Sequence, residues 1–241
     1  MCFTLSIQIE KYRLEKLLNA RFKVDFNFEP AYFLSAFDFS IVPVKSIENP
    51  GYLLPMQWGL IPQWTKTPND ALDIRSKTLN AQFESLFEKP SFRYSAKGNR
   101  CIVPATGFFE WQHIGGKKIP WFIGLSNNEI MHLAGIYSTW ANTETGEMVD
   151  TFSIITLPAN LLLEKIHNTK KRMPAILKPE NAEKWLDKDL KTSLYSDIIK
   201  PVEQEYLKVH TVSPIISNPK ANRNVPEVLE PYPYPEQQSL F

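Results

Sequence analysis

RCIVPATGFFEWQ (residues 100–112) reads as strand, running through Pro104 and Gly107 into Glu110 and Trp111. Extended runs lie on both sides of it: AYFLSAF, FSIVPV and YLLPMQWGLI before, IPWFIGL, IMHLAGIYSTW and TFSIITL after. All are rich in Phe, Ile, Val, Tyr and Trp and are bounded by Pro, Gly and Asn, the signature of short strands. Residues 3–9 alternate as a strand does, and Leu14, Leu17, Leu18 and Phe22 then recur at helical spacing. Further helical signals fall at Asn80–Phe87, Pro158–Ile166 and Pro179–Leu186, the last opening with proline in a first turn. Strands outnumber helices and follow one another closely. An α+β fold is expected, with a mostly antiparallel, barrel-like bent sheet flanked by helices. The expected organisation is one domain over residues 1–230, then a Pro-rich extended tail over 231–241 (PYPYPEQQSLF).

Composition narrows the function. The 241 residues are 43% hydrophobic, which excludes disorder for the bulk of the chain. A net charge of +1 gives no global pull on nucleic acid, so any basic site must be local. Two cysteines, Cys2 and Cys101, are too few for a disulfide framework and fit a reducing compartment. The start lacks the basic and apolar regions of a signal peptide, and no apolar run approaches the roughly 20 residues of a membrane helix. A soluble, cytoplasmic monomer is expected. Metal-ligand spacings, a P-loop and glycine-rich dinucleotide motifs are absent from the sequence, so no cofactor or metal is expected.

Chemistry concentrates in a few residues. Cys2 follows the initiator Met1, and loss of Met1 would leave an α-amine and a thiol on one residue. Such a pair traps an aldehyde, first as a Schiff base and then as a five-membered thiazolidine. The amine and the thiol have ordinary pKa values of about 8 and 8.5, so both are partly reactive near neutrality. A buried, inert core cysteine is the alternative. Glu110 lies between Phe109 and Trp111, which share one strand face while Glu110 points to the other. A carboxylate beside bulky aromatics is readily desolvated and pushed toward acid/base range, although an outward, solvated glutamate fits the same pattern. His167 ends a helical segment, where imidazole can also serve as a cap. Asn80 reads locally as an N-cap.

WGLIPQW (58–64), the Asn-Ala of LNAQ (79–82), EKPSFR (88–93), CIVPATGFFEW (101–111) and the IH…RMPAIL pair (166–177) stand in a fixed order after Cys2. Together they resemble the SOS response-associated peptidase family, the SRAP or HMCES-like proteins. The resemblance runs from Cys2 to about residue 177, with a weaker echo at VSPIISNPKANRNVPEVLEP (212–231). It implies an abasic-site sensor that links covalently to single-stranded DNA through Cys2 after Met1 removal, shielding the lesion. It also implies peptidase and lyase-like activity, the peptidase referring to loss of Met1 by self-processing. By the same resemblance Cys2 supplies amine and thiol, Asn80 orients them, Glu110 handles protons at the terminus, and His167 assists sugar ring opening and Schiff-base formation. Association with the nucleoid when DNA is damaged would follow.

The chain also departs from the family. Met-Cys-Gly-Arg becomes Met1-Cys2-Phe3-Thr4, Asn-Ala-Arg becomes Asn80-Ala81-Gln82, and Asn168-Thr169-Lys170-Lys171 lengthens the link from His167 to Arg172. Two lost arginines weaken phosphate contacts. Arg75, Lys77, Arg93, Arg100, Lys170, Lys171 and Arg172 are candidates to compensate, and Trp58 and Trp64 are candidates to stack on bases. The last residues, including Gln237, Leu240 and Phe241, resemble short peptides that bind bacterial sliding clamps. Two rival readings stay open: an autopeptidase or N-terminal-nucleophile hydrolase with weakened DNA binding, and a non-covalent single-stranded DNA module.

Overall fold

The computed structural model describes residues 2–23 and 26–235. The chain runs β1 (Thr4–Ile7), α1 (Lys11–Leu18), β2 (Arg21–Phe22), β3 (Ala31–Ser35), β4 (Ile41–Ser46), β5 (Tyr52–Trp58), α2 (Pro68–Lys77), β6 (Asn80–Gln82), α3 (Ser95–Gly98) and β7 (Arg100–Ala105). It continues through β8 (Gly107–Ile114), β9 (Lys117–Leu125), β10 (Met131–Ala141), β11 (Met148–Pro158), α4 (Leu161–Ile166), β12 (Arg172–Pro174), β13 (Ile176–Leu177), α5 (Pro179–Trp185), α6 (Tyr195–Ile198) and β14 (Leu207–Thr211). Strands β11, β10, β7, β4 and β5 follow one another by antiparallel pairing. A parallel pair, Thr151 with Gln57 and Phe152 with Trp58, then joins β5 back to β11 and closes a barrel. A second, five-stranded antiparallel sheet has the order β14-β9-β8-β1-β3. The expected α+β, mostly antiparallel, barrel-like architecture is what the chain adopts.

RCIVPATGFFEWQ joins the two sheets. Strand β7 is wholly buried in the barrel; after Thr106 the chain enters β8 in the second sheet. Gly107 sits at this crossing, where a Cβ would lie 2.3 Å from Cζ of Phe122 and 2.6 Å from the Ile123 carbonyl oxygen. No other residue fits without moving β9. Beyond it the alternation of β8 divides two cores. Phe109 and Trp111 pack with Val212, Ile216 and Val228 of the C-terminal segment, whereas Phe108 joins the main core with Leu5 and Ile123. Strand β1 lies between β3 and β8, with Leu5 opposite Leu34 and Phe108. The amino terminus is thus held by a central strand.

Three local expectations are corrected. Residues 80–87 are not helical: Asn80–Gln82 is strand β6, paired in parallel with Ile154–Thr156 of β11, and a short 3-10 turn follows at Phe83–Ser85. Leu79 and Ala81 are buried while Asn80 and Gln82 are not, a period of two that the ladder enforces. Phe22 lies in β2 rather than on the first helix, which buries Leu14 and Leu18. Pro158 ends β11, and α4 begins only after Asn160, whose side chain caps the Leu163 amide. Helix α2 was not anticipated; Thr67 caps it and Pro68 opens it, but it buries only Ala71 and Arg75, too thin a stripe for a periodic signal. The first residues of the Pro-rich segment lie against β14, with the Tyr232 amide donating to the Thr211 carbonyl at 2.8 Å and the Tyr234 hydroxyl to the Val212 carbonyl at 3.0 Å. Gln237, Leu240 and Phe241 lie outside the described residues.

Candidate functional site

Cys2, Asn80, Glu110 and His167 come from segments far apart in sequence, and the fold brings them together. The antiparallel register of β1 on β8, Leu5 opposite Phe108, carries the first residues toward Glu110. The parallel pairing of β6 on β11 presents Asn80, whose Nδ2 donates to the Cys2 carbonyl oxygen at 2.8 Å. Among the described residues no donor reaches Asn80 Oδ1, although it is buried. His167 closes α4, its amide donating to the Leu163 carbonyl at 2.7 Å. Its ring reaches across the following loop, placing Nδ1 2.9 Å from the Arg172 carbonyl oxygen and 3.6 Å from Glu110 Oε1.

The electrostatics follow from burial. Glu110 is 5% exposed, and loss of water pushes its carboxyl up to about 7. Burial pushes the His167 imidazole the other way, down to about 4. At neutral pH the imidazole is therefore neutral, so its 3.6 Å approach to Glu110 is not an ion pair. The Arg172 carbonyl can only accept, which places the ring proton on Nδ1. The Cys2 thiol is fully buried; burial first, and the nearby Glu110 second, hold its pKa far above the ordinary thiol range. A thiol held protonated beside a carboxyl poised near neutrality needs that carboxyl, or the imidazole, to take its proton.

The residues expected to hold DNA divide. Trp58 is fully buried, donates from Nε1 to the Leu79 carbonyl and stacks on Phe152; it is core and cannot meet a base. Arg75 is also withdrawn: its guanidinium donates to Gln57 Oε1 and the Trp58 carbonyl and lies 3.8 Å over the Phe39 ring. Burial lowers its pKa to about 10. Arg100, 1% exposed, is spent on the Trp185 and Asp187 carbonyls and the Tyr195 hydroxyl. These three are corrections. Trp64 is 56% exposed and lines a groove of about 310 Å³ with Pro90, Arg93, Tyr94 and Ser138. Lys77, Lys170 and Lys171 are exposed, Lys77 in an ion pair with Asp73. Arg172 makes a two-point contact with Glu84 and donates to the Thr156 carbonyl.

Tyr94 and Glu84 were missed in the sequence. Tyr94 directly follows Arg93 and could have been flagged as an aromatic beside a cation. Glu84 could not, because its partner lies 88 residues away. No group of three or more His, Cys, Asp or Glu residues that could hold a metal occurs among the described residues, and no helix there is long and apolar enough to cross a membrane.

Comparison with known proteins matches residues 1–219 to the SOS response associated peptidase (SRAP) family model. Abasic site processing protein YoqW of Bacillus subtilis is 38% identical over 177 residues, covering 73% of this chain and 75% of that protein. Abasic site processing protein HMCES of Gallus gallus is 34% identical over 200 residues, covering 74% of this chain and 57% of that protein. A crystal structure from Bacteroides thetaiotaomicron superposes with a TM-score of 0.90 at 36% identity, covering 96% of this chain and all of that one. A Bordetella bronchiseptica structure at 21% identity and a TM-score of 0.77 shares the fold. With the family model spanning nearly its whole length, and with relatives above 30% identity over most of it, the chain belongs to the SOS response associated peptidase (SRAP) family.

Proposed function

We propose that this protein processes abasic sites by forming a thiazolidine between Cys2 and the ring-opened sugar aldehyde in single-stranded DNA. The relatives' role in abasic site processing sets the substrate class. The observation that carries the reading is the convergence of Cys2, Asn80, Glu110 and His167 around the amino terminus. Loss of Met1 frees the Cys2 α-amine. That amine attacks the aldehyde carbon and, with a proton supplied to the departing hydroxyl, expels water to give a Schiff base. The Cys2 sulfur then bonds to the imine carbon while its proton passes to the nitrogen, which closes the ring with no atom left over. Glu110, near its midpoint at neutral pH, can donate in the first step and accept in the second. In this reading neutral His167, 3.6 Å from Glu110, assists sugar ring opening, and Asn80, bonded to the Cys2 carbonyl, directs the amine. Lys77, Arg93, Lys170, Lys171 and Arg172, with Trp64, are the proposed DNA contacts.

Processed protein is incubated with an oligonucleotide carrying one abasic site and run on a denaturing gel. The controls are intact DNA, Cys2→Ala and protein that retains Met1. A shifted band that needs both Cys2 and the lesion is expected. Tight binding without that band would instead select the non-covalent single-stranded DNA module. The autopeptidase reading draws on the buried thiol beside Glu110 and is scored separately, by intact mass. Retention of Met1 in Glu110→Gln, with loss in wild type, would establish self-processing. QQSLF is proposed as a sliding-clamp ligand, and a pull-down unchanged by deleting residues 237–241 would end that idea.

A further inference from the structure

At the two positions after Cys2 the family's glycine and arginine are replaced, and the structure shows what stands in their place. Thr4 is 5% exposed within β1, so it offers no group to a ligand. Phe3 is half-buried, and its ring lies 4.9 Å, centroid to centroid, from that of Phe37. Phe37 itself is 64% exposed. Its backbone sits in a hydrogen-bonded turn. The Ala36 amide donates to the Phe3 carbonyl at 2.8 Å, and Ser35 Oγ accepts from the Phe37 amide at 3.2 Å. The Phe39 amide closes the turn on the Ala36 carbonyl at 3.1 Å, and the Arg75 guanidinium caps the Phe39 ring. A hydrogen-bonded turn thus presents an open aromatic ring, tilted 36° against the ring of Phe3, the residue bonded to Cys2.

We infer that Phe3 and Phe37 form a stacking ledge for the nucleobase that flanks the abasic position. The inference rests on the proposed DNA substrate. A ring of this kind accepts any base through its π-face, and a base beside a lesion in a single strand is already unstacked and free to move. The hydrogen-bonded turn fixes the backbone that carries the ring, so little backbone freedom is lost on binding. The ledge therefore favours lesions with an intact neighbour, and its contribution is insensitive to salt, unlike that of a phosphate contact.

The test uses the full processed chain and single-stranded oligonucleotides carrying a tetrahydrofuran abasic analogue, which cannot open to an aldehyde and so reports equilibrium binding alone. One oligonucleotide has adenines on both sides of the analogue; in the other those positions are also base-free. Wild type is expected to prefer the adenine-flanked strand by about tenfold, the scale of one stacked base. Phe37→Ala should lose that preference with little change in salt dependence, and Phe37→Trp should restore it. Equal binding of both strands by wild type, or an unchanged preference in Phe37→Ala, overturns the ledge. Crosslinking to a true abasic site is scored in parallel. Its absence alongside an intact flank preference refutes the thiazolidine chemistry and leaves the ledge standing.

Discussion

Replacing Glu110 by glutamine should stabilise the protein at alkaline pH while disabling it. The carboxyl is 5% exposed and is pushed by burial from 4.5 to about 7, so ionising it costs more in the folded chain than in the unfolded one. That difference amounts to roughly 3 kcal/mol once the pH exceeds 7. The sign follows from proton binding. Between about 4.5 and 7 the folded state holds more protons at this site than the unfolded state does. Stability contributed here is therefore fully present at pH 4.5, declines as pH rises, and is gone above about 7. His167 acts in the opposite sense: its pKa is lowered to about 4, so its contribution is present at neutral pH and lost as pH falls through the window below about 6.5. Because His167 is common to both proteins, its contribution largely cancels in their difference. Glu110→Gln keeps the shape and never ionises. Urea unfolding of the two proteins, with identical amino termini, should show near-equal stability at pH 4.5 and a gain of roughly 3 kcal/mol for the variant at pH 8. The same variant should crosslink about 10²- to 10⁴-fold more slowly, the usual scale for losing a general acid/base. A variant no more stable than wild type at pH 8, or one with the same pH profile, would show that Glu110 is not a desolvated carboxylate.

The two tryptophans of WGLIPQW should part company on truncation. Trp58→Ala empties a fully buried site and should cost about 3–5 kcal/mol in urea unfolding. Trp64→Ala should stay within about 0.5 kcal/mol of wild type while weakening single-stranded DNA binding. Arg100→Met leaves the Trp185 and Asp187 carbonyls without their donor, and should lower stability by about 3 kcal/mol with no effect on the salt dependence of DNA binding. Glu84→Gln releases Arg172 from its two-point contact, so the log–log salt slope of DNA binding should steepen by about one phosphate contact; an unchanged slope would remove Arg172 from the DNA surface.

How far the sequence could be read depended on whether a feature was local. The alternation of Phe109, Glu110 and Trp111 is a property of three adjacent residues, and the structure sorts them to opposite faces as read. Barrel closure depends on Gln57 and Trp58 meeting Thr151 and Phe152, a parallel contact between distant segments that no periodicity encodes. The same limit explains Trp58 and Arg75. Both residue types suit a DNA surface, and only the closed barrel and the packing of α2 show that they are enclosed. Asn80 reads locally as a helix cap, because an asparagine before Phe83 and Phe87 mimics a capped helix, whereas the structure places it in β6 with its side chain on the Cys2 carbonyl. The β11 ladder, unseen in the sequence, holds it extended. The candidate reactive residues could be named from the sequence, whereas the burial that sets their pKa values could not.

That division also explains how the chemistry and the DNA grip can diverge separately. The proposed acid/base groups are held by paired or packed elements: Cys2 leads into β1, which lies between β3 and β8, Glu110 is on β8 between β1 and β9, Asn80 is on β6 along β11, and His167 ends α4, which packs against β8. A pKa set by burial is dependable only if the burial is rigid, and a central strand supplies that rigidity at an amino terminus that would otherwise fray. The groups that would touch DNA sit on turns and loops instead: Phe37 in a 3-10 turn, Lys170 and Lys171 between α4 and β12, and Trp64 after β5. Surface turns tolerate substitution at little cost to the core. Under the proposed ledge, the exchange of Gly-Arg for Phe3-Thr4 would alter how a DNA strand is held while Cys2 keeps its contact with Asn80. If the exchange is functional, DNA binding by this chain should depend less on salt and more on the neighbouring base than binding by a relative that keeps the arginine.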